Sequence, residues 1–119
     1  MEKEVVVVVN PGSTSTKFAL FNRENSVYEE TVRHPQEELE KFGLVSEQFD
    51  FRYSMIKDAV DKAVAEKELK VVGSVGRGGP VKPLEGGTYR IDKALIEDLK
   101  SCKYANHASN LGGMIADKM

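Results

Sequence analysis

The stretch Val5-Val6-Val7-Val8-Val9-Asn10-Pro11-Gly12-Ser13-Thr14-Ser15-Thr16-Lys17 carries most of what this chain discloses. Five consecutive β-branched residues with no polar alternation predict a central strand, buried on both faces. Pro-Gly then marks a turn, and Phe18-Ala19-Leu20-Phe21 beyond it is again strand-like. The hairpin packs an amide, hydroxyls and a lysine into the eight residues from Asn10 to Lys17. Backbone N–H groups and hydroxyls at a tight turn can wrap phosphate oxygens while the lysine offsets their charge. This is not a Walker A loop, which runs Gly-x-x-x-x-Gly-Lys-Ser/Thr into a helix. Here the lysine follows the hydroxyls and a strand follows the lysine. The same residues also suit a plain polar hairpin, since Gly, Asn, Ser and Thr are ordinary turn formers. Their place at the end of the most apolar strand, where α/β sheets collect ligands, favours phosphate binding by Gly12, Ser13, Thr14, Ser15 and Lys17, with Asn10 beside them.

Outward from the hairpin, strands are expected over residues 4–10, 14–22 and 25–34. The third alternates weakly, as an edge strand does. Pro35 opens a short helix with acids in its first turn, favoured by the helix dipole, and Gly43 stops it. Residues 47–67 form a longer helix, with Phe49, Tyr53, Ile56, Val60, Ala63 and Val64 on one apolar face. Residues 69–75 form another apolar strand. A helix leading into a strand beside the first predicts a parallel pairing through a right-handed crossover. Five glycines and two prolines between Gly76 and Gly87 exclude a packed element there, so a loop and a short hairpin arm are expected. Asp92 caps a helix bearing Leu95, Ile96, Leu99 and Cys102, and residues 106–119 form the last helix. The fold class is α/β, a mixed β-sheet with flanking helices in a single domain over residues 1–119.

Composition excludes several classes. The chain has 119 residues, 40% of them hydrophobic and 30% charged, ordinary values for a soluble domain. A net charge of −2, with no dense Lys/Arg cluster, gives no reason to expect nucleic acid. The apolar N-terminal run is too short for a membrane span or signal peptide. The single Cys102 cannot form an intrachain disulfide, which fits a reducing cytoplasm. No Cys/His cluster has metal-ligand spacing, so no metal site is expected, and two histidines cannot support a Ser/His/Asp assembly.

Outside the hairpin, Arg77 stands out, flanked by Gly76, Gly78 and Gly79 at the end of an apolar strand. Flanking glycines let a ligand approach closely, and guanidinium holds a carboxylate or phosphate in two prongs. The competing reading is a solvated arginine in a loose loop. His107 could hydrogen-bond or protonate a phosphoryl oxygen, or merely cap the last helix. His34 and Cys102 read as structural, and Asp92 as a helix cap.

Four ordered motifs carry a resemblance. Asn10-Pro-Gly12-Ser13-Thr-Ser15-Thr-Lys17 is similar to the opening Asn-x-Gly-Ser-Ser/Thr-Ser-x-Lys of the acetokinase family. Gly76-Arg77-Gly78-Gly79, Lys82-Pro83-Leu84-Glu85-Gly86-Gly87-Thr88-Tyr89 and His107-Ala108-Ser109-Asn110-Leu111-Gly112-Gly113 resemble its butyrate kinase branch. The resemblance implies an actin-like (ribonuclease H-like) ATPase lobe, the N-terminal one of two. It further implies reversible phosphoryl transfer from ATP, with Mg²⁺, to a short-chain carboxylate. Asn10, Ser13, Ser15 and Lys17 would lie near the phosphates, Arg77 on the carboxylate or the transferring group, and Gly78, Gly79, Gly86 and Gly87 in the substrate loop. One lobe alone would be inactive or nearly so, and would self-associate or need its C-terminal partner lobe. A non-catalytic anion- or nucleotide-binding module is the alternative.

Overall fold

The computed structural model describes residues 3–77, 90–102, 108 and 110–119. Three consecutive strands, β1 (Lys3–Pro11), β2 (Ser15–Asn22) and β3 (Asn25–Arg33), form an antiparallel meander. The one-turn helix α1 (Gln36–Leu39), a 3₁₀ turn (Val45–Gln48) and the long helix α2 (Phe49–Lys67) then lead into β4 (Leu69–Gly76). β4 pairs with β1 in parallel, giving the sheet order β3-β2-β1-β4. Helices α3 (Lys93–Lys100) and α4 (Asn110–Lys118) complete the described structure. The mixed α/β sheet is the expected one, with β1 interior and β3 at an edge. The arm expected within the glycine-rich segment lies outside the described residues, as do its Gly78, Gly79, Gly86 and Gly87.

One expectation is only half met. Val5, Val7 and Val9 are fully buried, but Val6 and Val8 on the other face are only half-buried. The helices explain the difference. α2 packs Ile56, Val60 and Ala63, and α4 packs Leu111, Met114 and Ile115, into one core with Val5, Val7, Val9, Phe18 and Leu20. The opposite face carries Val6, Val8, Ala19, Phe21 and the exposed Val72 and Val75, and no described helix lies against it. A homopolymeric valine run cannot reveal which face is covered, because both faces read alike.

Two boundaries also differ. The first helix is a single turn ending at Leu39, short of Gly43. Cys102 lies beyond α3 with a positive φ of 56° and is half-buried near Ser46. The Asp92 cap is as expected, its Oδ1 accepting the Leu95 N–H at 2.8 Å.

The crossing of β4 and α4 depends on two glycines. A Cβ on Gly76 would overlap the backbone of Gly112, and a Cβ on Gly112 would overlap the carbonyl oxygen of Arg77. The missing side chain of Gly76 therefore makes room for α4. Asn110, half a turn earlier, is buried and donates through Nδ2 to Leu99 O at 3.2 Å, tying α4 to α3. Gly112→Ala is expected to destabilise the chain by about 1–3 kcal/mol, the usual range for overpacking. Urea unfolding of the variant measures it, and an unchanged midpoint would show that the two backbones can separate freely.

Candidate functional site

The hairpin between β1 and β2 is tightly made. Pro11 pairs with Thr16, the Gly12 N–H donates to Ser15 O at 2.7 Å, and Ser13 and Thr14 form an exposed tip. The tip is tied sideways as well, because the His34 N–H at the end of β3 donates to Thr14 O at 2.8 Å.

Strand register places three predicted residues in one row. Asn10 on β1 is the Cα partner of Lys17 on β2, and antiparallel partners project to the same face. On the other side, Val9 pairs with Gly76, and the Arg77 N–H donates to Val9 O at 2.9 Å, so the ladder sets Arg77 beside Asn10. Lys17, Asn10 and Arg77 thus run across three neighbouring strands on the face away from α2 and α4. With strands about 4.8 Å apart, the outer two Cα atoms are roughly 10 Å apart. Long side chains span that gap easily.

These groups are rich in free donors. Among the described residues, the Asn10 amide, the hydroxyls of Ser13, Thr14 and Ser15, and the Arg77 guanidinium have no hydrogen-bond partner. The Lys17 ammonium lies 4.0 Å from Glu29 on β3, with both side chains about half exposed. A loose, solvated pair of this kind contributes little and does not fix the lysine. Among the described residues, no carboxylate enters the row itself. The donor set suits phosphate or carboxylate oxygens and does not suit a cation. Among the described residues, no three His, Cys, Asp or Glu side chains gather to hold a metal. His107 lies outside the described residues.

A shallow groove of about 720 Å³ opens at the opposite end of β1, lined by Lys3, Glu4, Val6, Phe21, Arg23 and Val72 among others. The predicted site residues are not in it.

Sequence reasoning missed Arg52. This arginine, on the core side of α2, is completely buried. Its Nη1 donates to Gly12 O at 2.6 Å and Ser15 O at 3.2 Å, its Nη2 to Ser13 O at 2.8 Å, and its Nε to Gln48 Oε1 at 2.9 Å. No described carboxylate pairs with it. Desolvation pulls its pKa down to about 10, still leaving it charged at neutral pH. A signal was present, since residues 52, 56, 60 and 63 follow the helical period of the buried stripe, and only one of them is charged.

Beside Arg52, the buried Thr16 hydroxyl lies 2.8 Å from His34 Nε2, and His34 Nδ1 lies 3.2 Å from Met55 Sδ. A thioether sulfur can only accept, so the proton belongs on Nδ1 and Nε2 accepts from Thr16. Burial, with the nearby Arg52 charge, lowers the His34 pKa from 6.5 to about 4. His34 is structural, as expected, and neutral.

No protein-family profile matches the chain. The chain is homologous, however, to proteins named butyrate kinase. It is 48% identical over 115 residues to a probable butyrate kinase of Listeria monocytogenes, aligning 96% of this chain with 32% of that protein. It is 44% identical to butyrate kinase 1 of Clostridium acetobutylicum, with the same coverage. A probable butyrate kinase of Clostridium botulinum is 45% identical over 114 residues, 93% of this chain and 31% of that protein. The chain therefore spans about a third of the length of the curated relatives it matches. Among the described residues, no helix is long and apolar enough to cross a membrane.

The His34 environment fixes a pH response. The unfolded chain takes up a proton near pH 6.5, but the folded chain does so only near pH 4. Stability from this group is thus fully present above pH 6.5 and falls as pH drops from 6.5 towards 4. The slope is at most about 1.4 kcal/mol per pH unit. Urea unfolding between pH 7.5 and 4.5 should show this loss, and His34→Gln should remove that component. An identical pH profile in the variant would assign the loss elsewhere.

Proposed function

We propose that this chain forms the N-terminal, phosphate-gripping lobe of a cytoplasmic carboxylate kinase, which transfers the terminal phosphoryl group of ATP to a butyrate-like acid. The observation that carries this is the row Lys17–Asn10–Arg77 on one face at one sheet end, beside a turn whose hydroxyls have no partner among the described residues. The named activity of the homologues supplies the acid and the reaction type.

The chemistry asks for what these residues offer. Phosphoryl transfer depends on alignment and on stabilising spread negative charge, with little covalent work for the protein. The turn hydroxyls, Asn10 and Lys17 hold phosphate oxygens. Arg77, across the row, holds the carboxylate or the transferring phosphoryl group, which lessens the repulsion between two approaching anions. A carboxylate is already ionised at neutral pH, so the attacking oxygen needs no general base. His107 serves as a further hydrogen-bond donor to the phosphoryl group, and the Gly78, Gly79, Gly86 and Gly87 segment contacts substrate. Mg²⁺ is expected with the nucleotide, to neutralise its phosphates. No step is assigned to it, because the described donor set does not fit a metal. The half-buried valines of the open face support either self-association or a C-terminal lobe as their cover.

Since 119 residues span about a third of the relatives' length, the chain by itself should form little or no acyl phosphate. Incubation with ATP, Mg²⁺ and butyrate, with hydroxylamine trapping, tests this, and a full kinase rate would refute it. For the site itself, calorimetry with inorganic phosphate is expected to show binding that Arg77→Ala weakens about tenfold or more, the loss of one charge-assisted contact. Undiminished binding in a folded Arg77→Ala chain would remove Arg77 from the site.

A further inference from the structure

We propose that Arg52 is a positioning residue for anion binding, setting the 12–16 turn so that its amide N–H groups face the ligand. This rests on the phosphate reading of the turn and goes beyond it, because Arg52 touches no ligand itself. Each carbonyl it binds belongs to a trans peptide, in which C=O and N–H point in opposite directions. Drawing Gly12 O and Ser13 O towards α2 therefore turns the N–H groups of Ser13 and Thr14 the other way. That is the side of the sheet bearing Lys17, Asn10 and Arg77. Among the described residues, neither amide donates to another group. Two successive free N–H groups at a tight turn make an anion-binding concavity.

The guanidinium suits this task better than an ammonium would. Its planar fork reaches Gly12 O and Ser13 O from different nitrogens while Nε is anchored to Gln48 Oε1. A further long contact, 3.4 Å from Nη1 to Thr16 Oγ1, brings Thr16 into the same grip. With no carboxylate beside it among the described residues, the buried charge adds positive potential beneath the turn, where an anion would sit.

The test uses the ¹⁵N-labelled 119-residue chain, with Arg52→Lys and the milder Gln48→Met, and inorganic phosphate as probe. Amide exchange reports the turn through the Gly12 and His34 N–H groups, and the core through Val7 and Ile56. Phosphate titration reports binding through Ser13 and Thr14. Arg52→Lys is expected to keep core protection, speed exchange at Gly12 and His34, and weaken phosphate about tenfold or more. Gln48→Met should do the same to a smaller degree, which guards against a misfolded Arg52 variant. Unchanged phosphate affinity in a folded variant would overturn the proposal, even with a loosened turn. If the wild-type Ser13 and Thr14 signals ignored phosphate, the anion-site reading would fail. Exchange at Gly12 and His34 would then show separately whether Arg52 holds the turn.

Discussion

A buried guanidinium with no carboxylate partner among the described residues ties the long helix to the hairpin, and the arrangement around the turn follows from it. Removing an ion from water costs several kcal/mol even after the surroundings relax. Here that cost is offset by hydrogen bonds from Arg52 to three backbone carbonyls and the Gln48 amide. Hydrogen bonds to charged groups contribute about 1.5–3 kcal/mol each, so several together are enough to keep the charge inside. The carbonyls are available only because the turn curls its oxygens inward. A residue of the core thereby settles the conformation of a surface loop. The neutral His34 belongs to the same arrangement, since burial and the Arg52 charge beside it both disfavour a second positive charge there.

The sheet then decides what the turn faces. Antiparallel pairing of β1 with β2 and parallel pairing with β4 bring one strand start and two strand ends to a single edge. Residues far apart in the chain, Lys17 and Arg77, become neighbours across Asn10. The close backbone crossing of β4 and α4 at Gly76 and Gly112 holds β4 against its helix immediately before Arg77. One glycine of the Gly76-Arg77-Gly78-Gly79 motif is thus needed for packing, whatever the others do.

Much of this was legible along the chain. The valine run, the Pro-Gly turn and the weak alternation of residues 25–33 were enough to order three strands, because those signals are local. The crossover followed from a helix placed between two apolar strands. Arg52 was not legible by the same means. Its charge suggested solvent, and only its phase with Ile56 and Val60 hinted at burial. The half-open face was hidden too, since identical valines project to both sides of β1.

Sequence by itself determined the element order, the parallel and antiparallel pairings, the polar character of the hairpin and the similarity to butyrate kinases. These depend on hydrophobic period, turn chemistry and motif spacing, which are properties of neighbouring residues. Tertiary structure alone decided that Arg52 lies under the turn, that Lys17, Asn10 and Arg77 share a face, and that Gly76 yields its space to α4. Each of these depends on register and helix docking, where residues as far apart in the chain as Gly12 and Arg52, or Val9 and Arg77, come within hydrogen-bonding distance, and no local pattern encodes such a meeting.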